Sequence, residues 1–151
     1  MRYPETELVG SDAFGVAFDS DGNVIVVGYD TETPTPWHLF VGKYDPAGLE
    51  LWTAYWDGTT GEGAQALAVA TDDAGDIVVV GRQRVVNRHR FVVRKYGPDG
   101  TARWTTEIES EPDSDAIGRA VAIGPNRRIW VAGGVDVGVD ALDIYVARLA
   151  P

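Results

Sequence analysis

Val24-Ile25-Val26-Val27 is apolar at four successive positions, follows the polar stretch Asp19-Ser20-Asp21-Gly22-Asn23 and stops at Gly28. The same script recurs at Val69–Gly81 and, more divergently, at Val121–Gly133, with offsets of 53 and 52 residues. A second block, Phe40-Val41-Gly42-Lys43-Tyr44-Asp45-Pro46-Ala47-Gly48 followed by Trp52, returns as Val92–Gly100 followed by Trp104. Its third copy, Tyr145-Val146-Ala147-Arg148-Leu149-Ala150-Pro151, ends the chain. Every block is short, rich in Val, Ile and aromatics, and bounded by Gly, Pro and Asp, and none carries a sustained helical period, which predicts strands throughout.

Each unit reads as four strands. Strand a covers 14–18, 67–71 and 119–123; strand b covers 23–29, 76–82 and 128–133. Strand c covers 39–44, 90–96 and 143–149, and strand d covers 49–56 and 101–108. The unbroken apolar run of strand b predicts burial on both faces, as in a sheet sandwiched between two others. Strand a is instead rich in alanine (Ala17, Ala68, Ala70, Ala120, Ala122), which suits a crowded place near an axis. The fold class expected is therefore all-β: three four-stranded antiparallel meanders packed face to face as β-propeller blades, the last lacking its outer strand. The units divide as 12–63, 64–115 and 116–151, and 1–11 forms an N-terminal segment able to supply a partial outer strand.

The motif V-A-x-D-x-x-G-[ND]-[VI]-x-V-x-G, then F-V-x-K-Y-x-P-x-G-x-x-x-W, resembles the SBBP-type repeat of bacterial β-propellers over about residues 12–151. The resemblance implies the propeller fold and a frequent association with secreted or cell-surface proteins. It implies no activity. The Trp56-Asp57 dipeptide matches the WD40 hallmark, but the second unit has Ile108-Glu109 in that place and the period is too long.

Aligned repeats also decide what Asp19–Asn23 is. A helix-loop-helix calcium loop needs glycine sixth and a bidentate glutamate twelfth. Here glycine is fourth, and the third copy, Gly124-Pro125-Asn126-Arg127-Arg128, has no carboxylate. Gly22, Gly48, Gly75 and Gly100 each close a tight turn as its left-handed residue, in two loops beside a proline at the second position. They are expected to be structural, with Gly22 mattering more than Asp21.

Composition sharpens this only in part. The 151 residues include 44% apolar residues and 18 glycines, a folded β-rich composition. Net charge is −10, which disfavours nucleic acid and anionic membranes as partners. The charge is uneven: residues 1–64 carry −9, 65–104 carry +3 and 105–151 carry −4. There is no cysteine, hence no disulfide or thiolate chemistry. Nothing in the opening residues resembles a signal peptide, so the chain as given is expected in the cytoplasm, although localisation stays open.

Connections a–b and c–d lie on one end of a propeller, and the longer d–a and b–c segments lie on the other. That variable face is where a ligand is expected. Candidates there are Trp37, a stacking platform for a sugar or cation, with His38, Arg84, Arg88, His89 and Arg90. Glu109, Glu111, Asp113 and Asp115 form an acidic loop beside that basic run. The competing explanation for all of these is solvated loop charge and inter-blade packing. His38 and His89 have no companion ligands at metal spacing, so no metal and no cofactor are expected. Trp52 and Trp104, at equivalent places in strand d, are expected to be structural. The chain has no dinucleotide loop, no G-x-S-x-G and no catalytic carboxylate pair identifiable by spacing.

Three blades cannot close a ring that takes about 4–8. Two copies joined head to tail give six blades, and three copies give nine, so the partner expected is the chain itself, preferentially as a dimer. A piece of a longer propeller is the alternative origin of the open ends. The function expected is a non-catalytic scaffold or binding module for a protein or glycan. A hydrolase or lyase acting on a saccharide or lactone at the central channel is the runner-up, and a purely structural repeat is the third reading.

Overall fold

A computed structural model describes residues 10–31, 37–108, 114–136 and 142–151. The N-terminal segment offered as a partial outer strand and the acids Glu109, Glu111 and Asp113 lie outside the described residues. Eleven strands follow one another: β1 Asp12–Phe18, β2 Val24–Asp30, β3 His38–Tyr44, β4 Glu50–Trp56, β5 Ala64–Thr71, β6 Ile77–Val85, β7 Arg88–Tyr96, β8 Ala102–Ile108, β9 Ala116–Ile123, β10 Ile129–Asp136 and β11 Leu142–Leu149. They form two four-stranded sheets, β1-β2-β3-β4 and β5-β6-β7-β8, and one three-stranded sheet, β9-β10-β11. All pairings are between sequential neighbours and antiparallel. These are three blades of the kind the repeat predicts, with the innermost strands β1, β5 and β9 side by side.

The blades pack through two apolar layers. Ile25, Val27, Leu39 and Val41 of blade 1 meet Ala64, Ala66, Ile77, Val79 and Tyr96 of blade 2. Val78, Val80, Phe91 and Val93 of blade 2 meet Ala116, Ile129 and Val131 of blade 3. The alternation within β6 explains both: odd residues face one neighbour and even residues face the other. Each blade thus has a trailing face towards the blade before it and a leading face towards the blade after it.

Only the middle blade has strand b buried on both faces, with Ile77 to Val80 all at 1% exposure or less. In β2 and β10 every second residue is covered, because blades 1 and 3 have one neighbour each within the chain. The apolar run is thus correct in all three repeats, but its burial is completed in one. A second difference concerns residues 83–89, read from sequence as an irregular loop. The strands β6 and β7 continue to Val85 and Arg88 and join through the two residues Val86-Asn87. Asp and Gly usually mark such a turn, and here the β-branched Val86 takes a left-handed φ of 57°.

Each inner strand carries a bulge at the same place in the repeat, between Ala13 and Gly15, Ala66 and Ala68, and Ala132 and Gly133 of its partner register. The residues at these bulges are Phe14, Leu67 and Arg119. Gly28 and Gly81 lie opposite, where an added Cβ would come within 1.9 Å of the Asp12 and Gln65 carbonyl oxygens. The bulge and the glycine are one device, since the swollen inner strand needs a partner with no side chain.

Candidate binding face

At the turn end, the a–b turn of blade 1 is tied down by internal chemistry. Asp19 is buried, and its carboxylate accepts the backbone N–H groups of Asp21 and Asn23 at 3.0 and 2.9 Å and the Asn23 amide at 2.9 Å. Lys43 Nζ lies 2.8 Å from Asp19 Oδ2. Burial opposes the charged carboxylate, but the hydrogen bonds from Lys43 and Asn23 outweigh it and hold its pKa at about 2. An ammonium group thus sits where a calcium reading would put a metal. Gly22 follows with φ 81°, and Gly48, Gly75 and Gly100 have φ between 79° and 86°. Asp19 is the residue of this loop whose weight sequence reasoning missed. Its recurrence as Asp72, which likewise accepts Ala74 N and Asp76 N, was the available signal.

On the opposite, loop end, the basic run divides into several local environments. Arg94 is inter-blade packing: its guanidinium lies over Trp56 of blade 1 and beside the Tyr96 ring, and donates to Tyr96 Oη and Thr105 Oγ1. Arg90 pairs with Glu107 at 2.9 Å. Glu107 also accepts Thr59 Oγ1 at 2.8 Å, while the Thr59 N–H donates to the fully buried Gln83. Burial raises the Glu107 pKa, yet the hydrogen bonds from Thr59 and Arg90 prevail and lower it. This network ties the loop after β4 to blade 2 and engages Arg90 in structure.

His38 pairs through Nδ1 with Asp57, each at the loop end of its strand. His89 lies beside Asp115, whose carboxylate accepts the His89 backbone N–H at 2.6 Å and stands 3.5 Å from Nδ1. Burial, then the charges of Arg82 and Arg84, hold the His89 pKa below its ordinary value against the pull of Asp115. The two histidines therefore have separate carboxylate partners. Among the described residues no group of three or more His, Asp or Glu side chains is placed to hold a metal ion. Arg84 is exposed and its Nε reaches the Val86 carbonyl at 3.4 Å. Arg88 is half-buried at the start of β7 and has interaction partners of its own.

Trp37 is 41% exposed and ends an aromatic row: Phe14 stacks on Tyr29 at 5.9 Å, and Tyr29 meets Trp37 at 5.7 Å. Its carbonyl accepts Ala64 N at 2.9 Å, which fixes it against blade 2. Arg82 of blade 2 lies over its ring at 6.0 Å and donates Nε to Gln65 Oε1 at 2.9 Å. Burial and the neighbouring Arg119 charge both pull the Arg82 pKa down. Trp37 and Arg82 thus join blades 1 and 2 at this end. The chain matches no known family model and no curated protein.

Proposed function

We propose that the chain is a non-catalytic propeller module, of the SBBP repeat type, that closes its ring by joining head to tail with a second copy and binds its ligand on the loop face. The observation that carries this reading is the chemical equivalence of the open faces to the filled ones. Trp130, Ala132, Ile144 and Val146 of blade 3 occupy the repeat positions of Ile25, Val27, Leu39 and Val41, which blade 2 covers. Val16, Phe18, Val24, Val26 and Tyr44 of blade 1 occupy those of Val69, Thr71, Ile77, Val79 and Tyr96. Each open face is thus the mate of the other. Ile144 is 89% exposed, Phe18 67% and Val16 64%. Leaving such contiguous apolar area in water is costly, whereas a second copy covers both faces with a contact already used twice within the chain.

Light scattering after size exclusion tests the assembly, with twice the chain mass of 16.3 kDa expected for six blades. A folded monomer at micromolar concentration would overturn it. Three chains would replace the dimer by a nine-bladed ring. The channel hydrolase or lyase draws no support from the inner strands, which are mainly Ala, Val and Gly with the single basic bulge residue Arg119.

A further inference from the structure

We propose that Arg148 fixes the second copy on blade 3, its guanidinium received by the Asp45-Pro46 turn of that copy. This rests on the head-to-tail reading and names the contact that carries its charge. Register sets the place of Arg148: it pairs with Trp130 as Lys43 pairs with Ile25 and Lys95 with Val78. All three bases therefore stand at the turn end of a leading face. Lys43 shows what such a base does there. It reaches across to blade 2 and donates Nζ to the Pro98 carbonyl at 3.2 Å, where Trp52 Nε1 also donates at 3.0 Å. Pro46 is the repeat counterpart of Pro98. Its turn is closed by the same backbone bonds, Asp45 N to Leu49 O and Gly48 N to Asp45 O, as Gly97 N to Thr101 O and Gly100 N to Gly97 O. The seat beside it is empty within the chain. Open space surrounds Gly48, whereas the place beside Gly100 is filled by Trp52 of the preceding blade.

Charge is complementary across this junction. Lys43 and Lys95 are neutralised inside their own blades, by Asp19 at 2.8 Å and Asp76 at 3.0 Å. Blade 3 has Gly124 and Arg128 at the two repeat positions that supply those acids. Arg127 of the same turn is already taken by Asp73 of blade 2 at 2.8 Å. Arg128 and Arg148 are exposed and have no ion-pair partner among the described residues. Their counter-charge is left to whatever covers the leading face. In the second copy, Asp45 adjoins the carbonyl that Arg148 would reach. Its Oδ1 accepts Ala47 N and Leu49 N at 2.9 and 2.8 Å, which leaves Oδ2 open. Exposed Asp21 and Glu50 lie at the same end of blade 1. Blade 2 has Gly97 in the place of Asp45, so the acid occurs at the turn facing out of the chain and not at the internal one. A planar guanidinium can serve a carbonyl and a carboxylate together, which suits arginine in the place that lysine holds elsewhere.

Subunit exchange between two fluorescently labelled pools, at low and high salt, reads this contact. Arg148→Gln should speed exchange about tenfold at low salt, because each six-bladed ring holds the pair twice. Asp45→Asn, which keeps the oxygen that caps the turn, should do the same. The double variant should exchange no faster than either single one, since one contact is lost in all three. High salt should speed the parent and leave the variants within about twofold. Asp99→Asn makes the same charge change at the internal turn of blade 2 and should leave exchange at the parental rate. Unchanged exchange in either single variant, multiplied effects in the double one, or a parent indifferent to salt overturns the proposal. Arg148→Gln removes an exposed side chain without a partner in its own described chain, so circular dichroism should show it folded as the parent is. Light scattering on the same samples keeps the two readings apart. A folded parental monomer overturns the ring and this contact with it, whereas a dimer indifferent to Arg148 and Asp45 overturns the contact alone.

Discussion

Arg94 lies over the Trp56 ring, with the guanidinium carbon 4.6 Å from the ring centroid, and so joins strand c of blade 2 to strand d of blade 1. The position varies together with its mate. Blade 3 has Ala147 in place of Arg94, facing the layer that contains Ile108 of blade 2 in place of Trp56. Cation and indole occur together and are absent together, as expected if the pair is one interface element.

The pair also supports Tyr96, whose buried hydroxyl accepts Arg94 Nε at 3.0 Å. Arg94→Ala should therefore cost about 2–3 kcal/mol, combining a partly desolvated cation–π contact with an unsatisfied buried hydroxyl. Arg94→Lys should recover less than half, since an ammonium cannot stack and reach Tyr96 and Thr105 together. Urea denaturation checks this. A cost under about 0.5 kcal/mol for the alanine variant would show that the contact is incidental.

Strain in the β6–β7 turn gives a stabilising substitution. Val86 holds a left-handed φ of 57° while its side chain is 63% exposed, so the conformation is unfavourable and little burial offsets it. Val86→Asn or Val86→Gly should raise stability by about 1 kcal/mol, visible as a higher Tm. An unchanged or lower Tm would mean that Val86 packs against something that its exposure does not suggest.

Acid stability should carry the signature of Asp19. Its folded pKa of about 2 lies below the ordinary 3.8, so the carboxylate stabilises the fold fully above pH 4. That contribution is lost as the pH falls through 4 towards 2. Asp19→Asn should lose about 2 kcal/mol at neutral pH, and the gap to the parent should close across this window. A gap independent of pH would assign the loss to geometry and not to the charge.

Repeat glycines look alike in sequence and differ in space, which shows where legibility ended. Blade number, strand order and turn positions were readable because each rests on local chemistry that recurs: short apolar runs at a fixed offset, Gly at left-handed turns, Pro before two of them. What each blade touches was not local. Nothing in Gly48 and Gly100 themselves reveals that open space surrounds the first while an added Cβ on the second would lie 2.9 Å from the Trp52 ring. Candidate site residues suffered similarly. Arg90 and Arg94 look like surface charge in a basic run, yet blade packing recruits both. Gly48→Ala should accordingly cost about 1–2 kcal/mol, the left-handed penalty alone. Gly100→Ala should cost visibly more in the same denaturation assay, because Trp52 must also move and its Nε1 bond to the Pro98 carbonyl is strained. Equal costs would deny Trp52 its role beneath the turn.

The direction of assembly can be read from two variants, each disabling one open face. Ile144→Asp puts a charge on the leading face of blade 3, and Phe18→Asp puts one on the trailing face of blade 1, at residues now 89% and 67% exposed. Neither should unfold the chain, since neither side chain lies in an internal layer. Each alone should give a monomer, because both junctions of a two-copy ring contain one altered face. Mixed together they should re-associate: the intact blade 1 of the first variant meets the intact blade 3 of the second and restores one junction of two. A ring built face to like face behaves differently. There each variant keeps one of the two junctions by itself (or, in a pairing through a single face, one variant keeps the whole contact), and the mixture gains nothing. Light scattering of each variant and of the equimolar mixture therefore distinguishes head-to-tail closure from any pairing of identical faces.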